Sequence, residues 1–223
     1  MATARPSTPG AVFRVHRVRD LSPTAYALRL DRRDLSFQPG QHIMVGPGGS
    51  SAMREYSICS ALGDPFLEVL VREVEGGLVS RALRQCLPGD AVEVRGPLGV
   101  FTTDPEQRAS ARYLFVATGT GIAPFASIVR SFPALRYRIL HGVRAASEVY
   151  AAEAFDPSRM VRCVSRTGDG DYRGRVTSYL RENPVDASTL CYLCGNGRMI
   201  YEAFEILRGQ GVPLDHLFAE VYF

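Results

Sequence analysis

Apolar and polar positions along this chain follow two different periods. From Ala11 to about Phe101 they alternate in short runs broken by Gly, Pro and Asp, the pattern of half-buried strands joined by tight turns. The runs predict strands over 11–18, 24–30, 42–45, 55–59, 66–73 and 91–94. Between them lie Gln38-Pro39-Gly40-Gln41, Pro47-Gly48-Gly49, Gly63-Asp64-Pro65 and Pro88-Gly89-Asp90. Six strands at this spacing, with one helix-like interruption over 75–84, predict a small antiparallel β-barrel.

From Arg112 onward strand-like and helix-like runs alternate. Strands are expected over 112–118, 137–142, 160–165, 190–194 and 217–222, and helices over 122–131, 147–155, 176–182 and 198–208. That order predicts a parallel sheet with right-handed crossovers and helices on both faces. Ligands bind such sheets at the carboxyl ends of the strands. The expected organisation is a loose tail over 1–9, a barrel over 10–101, a polar linker over 102–110 and an α/β domain over 111–223.

Composition narrows the function. Hydrophobic residues make up 46% and charged residues 22%, a globular balance. The net charge of +3 arises from 26 basic and 23 acidic residues that are interspersed, which excludes a strongly cationic nucleic-acid surface. Every basic residue counted there is Arg, a bias that genomic base composition explains, so any anion site must use guanidinium groups. Five Cys without scaffold spacing point to reduced thiols in a cytoplasmic protein. The first ten residues lack a signal-peptide core and no run is long enough to cross a bilayer, so a cytoplasmic location is expected; a monomer is expected separately.

Four stretches carry chemistry. Arg54-Glu55-Tyr56-Ser57 places a cation and a ring on one strand face and a hydroxyl on the other. A planar redox ring with a phosphate tail needs those groups, although the tetrapeptide alone reads more readily as a surface strand. Gly76-Gly77 precedes a short helix containing Ser80, whose N-terminal N–H groups would face an anion or merely close a turn. Val116-Ala117-Thr118-Gly119-Thr120-Gly121-Ile122-Ala123-Pro124 is a strand-to-helix glycine loop, with Pro suited to a first helical turn. The next strand ends at Arg144, without the acid that suits an NAD ribose; with Ser165-Arg166 and Arg175 it supplies guanidinium groups for a 2′-phosphate, or three solvated arginines. The fourth stretch, Cys191-Tyr192-Leu193-Cys194-Gly195-Asn196, holds a Cys-x-x-Cys. Its thiols fall on opposite strand faces and no further ligands lie in range, so neither zinc nor a disulfide is expected. The four thiolates of an iron–sulfur cluster are absent as well.

Together, Arg54-x-Tyr56-Ser57, Gly76-Gly77-x-x-Ser80, Gly96-Pro97-x-Gly99, Gly119-Thr120-Gly121-Ile122-Ala123-Pro124, Cys194-Gly195-Asn196 and Glu220-Val221-Tyr222 resemble the ferredoxin–NADP+ reductase superfamily of flavoproteins. The resemblance implies FAD on the barrel and NADP(H) on the α/β domain. Arg54 would meet the flavin phosphate, Tyr56 would stack on the ring, Ser57 would bond near its reactive edge, and Gly77 to Ser80 would hold the pyrophosphate. Thr120 and Gly121 would contact the nicotinamide cofactor's pyrophosphate. Arg144, Ser165, Arg166 and Arg175 would take the 2′-phosphate, with Cys194 and Glu220 lining the nicotinamide pocket. Val71, Leu78, Val79, Gly195, Asn196, Tyr222 and Phe223 complete the implied cofactor-binding set, and Ser57, Cys194, Glu220 and Tyr222 the implied catalytic set; no metal is implied. Plant-type members carry Cys where Val79 stands, and many end at the Tyr matched by Tyr222, so Phe223 leaves open which ring covers the flavin. The implied activity is hydride transfer between NADP(H) and FAD, coupled to single-electron exchange with a separate ferredoxin or flavodoxin. An oxygenase reductase component, a flavin reductase and a non-catalytic cofactor-binding subunit are the alternatives.

Overall fold

The computed structural model describes residues 11–222, so the expected tail over 1–9 and the terminal Phe223 lie outside the described residues. Two six-stranded sheets divide the chain. The first comprises β1 (Ala11–Ser22), β2 (Ala25–Asp31), β3 (His42–Pro47), β4 (Arg54–Ser57), β5 (Phe66–Arg72) and β6 (Ala91–Leu98). They are antiparallel in the order β4-β3-β6-β1-β2-β5. An Ile58–Val69 bridge, reinforced by Cys59 N–H to Glu68 C=O at 2.7 Å, joins the chain just after β4 to β5 and closes the sheet towards a barrel. Helix α1 (Leu78–Arg84) buries Val79 and Leu83 in the barrel core.

Strand alternation explains how the barrel serves two cores. On β2, Tyr26, Leu28 and Leu30 point into the barrel, whereas the small Ala25 and Ala27 join a cluster built mostly from the second half of the chain. On β5 the same division separates Leu67, Val69 and Val71 from Leu70. The two halves therefore share apolar packing. Ser127 Oγ donating to Ser60 C=O at 2.7 Å and Arg130 paired with Asp64 at 2.8 Å add polar contacts.

The second sheet is parallel, in the order β10-β9-β8-β7-β11-β12. Its strands are β7 (Arg112–Thr118), β8 (Arg136–Val143), β9 (Met160–Val164), β10 (Tyr172–Arg173), β11 (Leu190–Asn196) and β12 (Leu217–Tyr222). Helix α2 (Ala123–Ser131) covers one face, and α3 (Val176–Glu182) and α4 (Gly197–Gly209) cover the other. Cys191 and Leu193 belong to one core cluster and Tyr192 and Cys194 to the other, so the two thiols do face apart. All five cysteines are free.

Three local expectations are corrected. The segment over 147–155 is not a helix but two short 3₁₀ turns, Ala146–Glu148 and Ala152–Ala154. Glu148 folds back onto the Arg144 backbone N–H at 3.1 Å, Ala151 is left-handed at φ 50°, and the Tyr150 hydroxyl pairs with Ser22 of the barrel at 2.8 Å. Docking of Tyr150 overrides the helical preference of the alanines. Strand β6 runs on to Leu98, because His42 pairs with Leu98 beyond an irregularity in the β3–β6 register. The two-residue β10 is too short to leave a periodic signal.

Candidate active site

The barrel and the α/β sheet meet through a chain of polar side chains. Edge strand β4 pairs with β3, setting Tyr56 opposite Ile43 and Ser57 opposite His42. Ser57 is 2% exposed. Its hydroxyl donates to Glu220 Oε2 at 2.8 Å and accepts from the Tyr222 hydroxyl at 2.6 Å. The other carboxylate oxygen of Glu220, Oε1, lies 3.3 Å from His42 Nδ1. Alternation along β12 turns Glu220 and Tyr222 the same way, and β11–β12 pairing sets Cys194 in register with Glu220.

Burial sets the protonation of this cluster. It pushes the Glu220 carboxyl above its usual range and Glu55 adds to the shift, while Ser57 and His42 pull it back. Burial raises the Cys194 thiol well above its ordinary value, and the nearby Glu220 charge raises it further. Cys194 is therefore an un-ionised thiol, a small wall and not a nucleophile. The Tyr222 hydroxyl is raised by burial in the same way.

On the barrel side, Arg54 is exposed; its guanidinium donates to Met53 C=O at 2.8 Å and has no ion-pair partner among the described residues. Tyr56 packs its half-buried ring on the barrel core, and burial lifts its hydroxyl to about 12. Helix α1 starts from Gly77 with no side chain capping its first N–H groups. A Cβ on Gly77 would lie 2.9 Å from both Ser80 Oγ and Val74 O, so glycine is required. Ser80 Oγ accepts from Val74 N–H at 3.3 Å, and Ser80 C=O accepts from the Tyr26 hydroxyl at 2.6 Å. The side chains of Val71, at 0%, and Val79, at 3%, are enclosed in the barrel core, which leaves only their backbone to meet a cofactor. Leu78, by contrast, is 82% exposed.

At the carboxyl ends of the parallel strands, the two glycines of the loop have different duties. Gly119 adopts φ +54° with open space where a Cβ would be, leaving the backbone approachable. A Cβ on Gly121 would sit 2.5 Å from Cys194 O and 2.8 Å from Gly195 Cα, so Gly121 exists for close packing on β11. Thr120 is buried beside it. His141 Nε2 lies 2.9 Å from Gly119 C=O. Burial depresses this imidazole to about 4, so it is neutral and donates from Nε2. Gly195 tolerates no side chain, because a Cβ would lie 2.4 Å from Thr118 Oγ1. Asn196 caps α4 by accepting from Arg198 N–H at 3.1 Å and Met199 N–H at 3.3 Å.

The arginines gather at this same end of the sheet. Arg166 N–H bonds Arg144 C=O at 3.0 Å, Ser165 Oγ donates to Val143 C=O at 3.1 Å, and Arg175 precedes α3. Arg166 and Arg175 are exposed without an ion-pair partner among the described residues. Arg144 differs, since Glu148 grips its guanidinium through both carboxylate oxygens. His42, His141 and Tyr26 carried no role in the sequence reading. A lone His opening the apolar run Ile43-Met44-Val45 was the one available signal.

Comparison with known proteins bears on the fold and its cofactors. An oxidoreductase FAD-binding domain matches residues 14–103, and an oxidoreductase NAD-binding domain matches residues 115–204. Ferredoxin–NADP reductase B of Sorangium cellulosum is 33% identical over 236 residues, which cover 94% of this chain and 96% of that protein. The aromatic O-demethylase reductase subunit of an Amycolatopsis strain is 30% identical over 222 residues, but this match covers only 66% of that longer protein. In fold, a ferredoxin NADP+ reductase from Neisseria gonorrhoeae with bound FAD and NADP superimposes with a TM-score of 0.87 at 20% identity, covering 97% of this chain and 100% of that one. By sequence relationship and by fold, the chain belongs to the ferredoxin–NADP+ reductase superfamily of flavoproteins.

Proposed function

We propose that this chain exchanges hydride equivalents between NADP(H) and a bound FAD, and single electrons with a separate carrier, ferredoxin or flavodoxin. The observation that carries the reading is the Ser57–Glu220–Tyr222 junction. It joins the barrel edge to the last strand of the parallel sheet, where a flavin site and a nicotinamide site would face each other.

The donor set suits FAD. The uncapped start of α1 and the unpaired Arg54 would hold the diphosphate and phosphate oxygens, Tyr56 would offer a flat face, and Ser57 a hydroxyl at the reactive edge. The approachable Gly119 loop, Arg166 and Arg175 would hold NADP(H). When bound, the cofactors supply the two-electron and one-electron chemistry. The chain's own residues orient them, exclude water around Ser57 and hold a proton at Glu220, whose carboxyl burial raises above its usual range. Tyr222, whose hydroxyl covers Ser57, would have to move for a nicotinamide ring to reach that hydroxyl, and so would act as a gate.

The purified protein should show a flavin spectrum that NADPH bleaches faster than NADH, and should then reduce a ferredoxin or flavodoxin. A colourless protein that FAD cannot reconstitute refutes the reading. Service to an oxygenase is the second reading, favoured by relatives such as the toluate 1,2-dioxygenase electron transfer component of Pseudomonas putida, which is 29% identical. Comparing electron transfer to ferredoxin, flavodoxin and an oxygenase component separates the two.

A further inference from the structure

Near the end of β8, alternation places His141 on the same sheet face as Tyr137 and Ile139, which pack in the apolar cluster that includes α2. The imidazole is fully buried. The Tyr150 ring lies 6.4 Å from it between centroids, and the Tyr150 hydroxyl is bonded in turn to Ser22 of the barrel. Burying an imidazole among apolar groups is costly unless both nitrogens find partners. Only one does. Nε2 reaches Gly119 C=O at 2.9 Å, whereas Nδ1 is enclosed without a partner among the described residues. An apolar side chain would fill the same space without an orphan nitrogen, so what the imidazole adds is its single bond to Gly119.

That bond acts through a peptide plane. In a trans peptide the Gly119 C=O and the Thr120 N–H point in opposite directions. His141 holds the carbonyl inward, so the Thr120 N–H is turned outward at the carboxyl end of β7. Gly119 permits this orientation with its φ of +54° and open space where a Cβ would be. No side chain caps the 3₁₀ turn Gly119–Ile122 that starts there. We propose that His141 is a positioning residue for the dinucleotide: by gripping Gly119 C=O it keeps the Thr120 N–H aimed at the diphosphate of NADP(H). This rests on the reading above in which the glycine loop takes that diphosphate. Without the grip, the Gly119–Thr120 peptide is free to turn over, since glycine adopts either sign of φ readily. The turned peptide would face the phosphate oxygens with carbonyl lone pairs in place of a donor.

The test compares flavin-loaded wild type with His141→Leu, which fills the space but cannot donate, and His141→Gln, whose amide can donate to the same carbonyl. In His141→Leu the Kd of NADP+ and the KM of both NADPH and NADH should rise about tenfold, the scale of one hydrogen bond to a charged group. Its kcat should stay near wild type, because the lost interaction is one of uniform binding. His141→Gln should bind NADP+ nearly as wild type does. Adenosine 2′-monophosphate, which carries the 2′-phosphate and no diphosphate, should bind each of them alike. In the wild-type protein the Thr120 amide NMR signal should move downfield as NADP+ is added, as an amide does on gaining a phosphate acceptor. Undiminished NADP+ binding in His141→Leu overturns the proposal. An equal loss for adenosine 2′-monophosphate also overturns it and leaves His141 a packing residue of the domain. Failure of His141→Gln to restore NADP+ binding counts against it in the same way. A Thr120 amide indifferent to NADP+ overturns it too, even where His141→Leu does not fold. Wild-type holoprotein that binds neither nucleotide overturns the functional reading instead.

Discussion

Arg144 and Arg166 lie side by side at the ends of β8 and β9, yet substitution should affect them unequally. Arg166 is exposed and has no ion-pair partner among the described residues, so nothing offsets its attraction for a 2′-phosphate. A hydrogen bond to a charged group is worth about 1.5–3 kcal/mol. Arg166→Ala should therefore lower kcat/KM for NADPH by about 10- to 150-fold and leave NADH nearly unchanged. Arg144 must first share or release Glu148, which holds both its guanidinium and its backbone N–H. With the Arg144 side chain 46% exposed, that pair is worth about 0–1 kcal/mol. Arg144→Ala should thus cost NADPH up to about fivefold less than Arg166→Ala. Glu148→Gln, which still accepts from the Arg144 backbone, should improve NADPH use by up to about fivefold. Steady-state kinetics with both nucleotides at fixed ionic strength measures all three. Equal losses for NADPH and NADH in Arg166→Ala, or poorer NADPH use in Glu148→Gln, would refute the assignment.

Acid should weaken the fold through His141, whose imidazole is held at about 4 in the native state against 6.5 when free. The unfolded chain then binds more protons between those values, so stability is present above 6.5 and declines as pH falls towards 4, by on the order of 3 kcal/mol. Urea unfolding across that window should show the slope in wild type and its loss in His141→Gln; equal slopes disprove the cause. Gly121→Ala, which drives a Cβ into the β11 backbone, should lower stability by about 1–3 kcal/mol, whereas Gly119→Ala meets open space and should lose about 1–2 kcal/mol, from its left-handed φ alone. Thermal melts measure both, and a Gly121→Ala protein as stable as wild type contradicts the packing argument. Removing residues 222 and 223 uncovers Ser57, so affinity for the nicotinamide ring should rise and preference should drift towards NADH. Unchanged kinetics in that truncation would sink the gate.

Much of the architecture was legible because it is periodic. The two-residue period of Tyr26-Ala27-Leu28, with large residues into the barrel and small ones outward, is written in the sequence as surely as in the fold. The glycine loop at Gly119 was legible as a loop, but the separate duties of Gly119 and Gly121 were not. Only the approach of β11 distinguishes an open glycine from a packed one. The segment over 147–155 misled because alanine-rich stretches favour helix locally, and only the docking of Tyr150 onto Ser22 of the barrel decides otherwise. Val71 and Val79 matched positions expected at the cofactor, while strand and helix geometry sends their side chains into the core.

The two periods, the strand-to-helix glycine loop, the all-arginine basic set and the order of motifs that marks the superfamily are all readable along the chain. Those are local properties, carried by neighbouring residues. Which side chains meet depends on the folded chain. Ser57 and Glu220 stand 163 positions apart, and no spacing rule joins them. Closing the barrel and laying β12 against β11 brings them within hydrogen-bond reach, and the same folding sets His42 on the opposite oxygen of Glu220. A hydrogen bond needs two groups within about 3 Å, and only the folded chain puts them there.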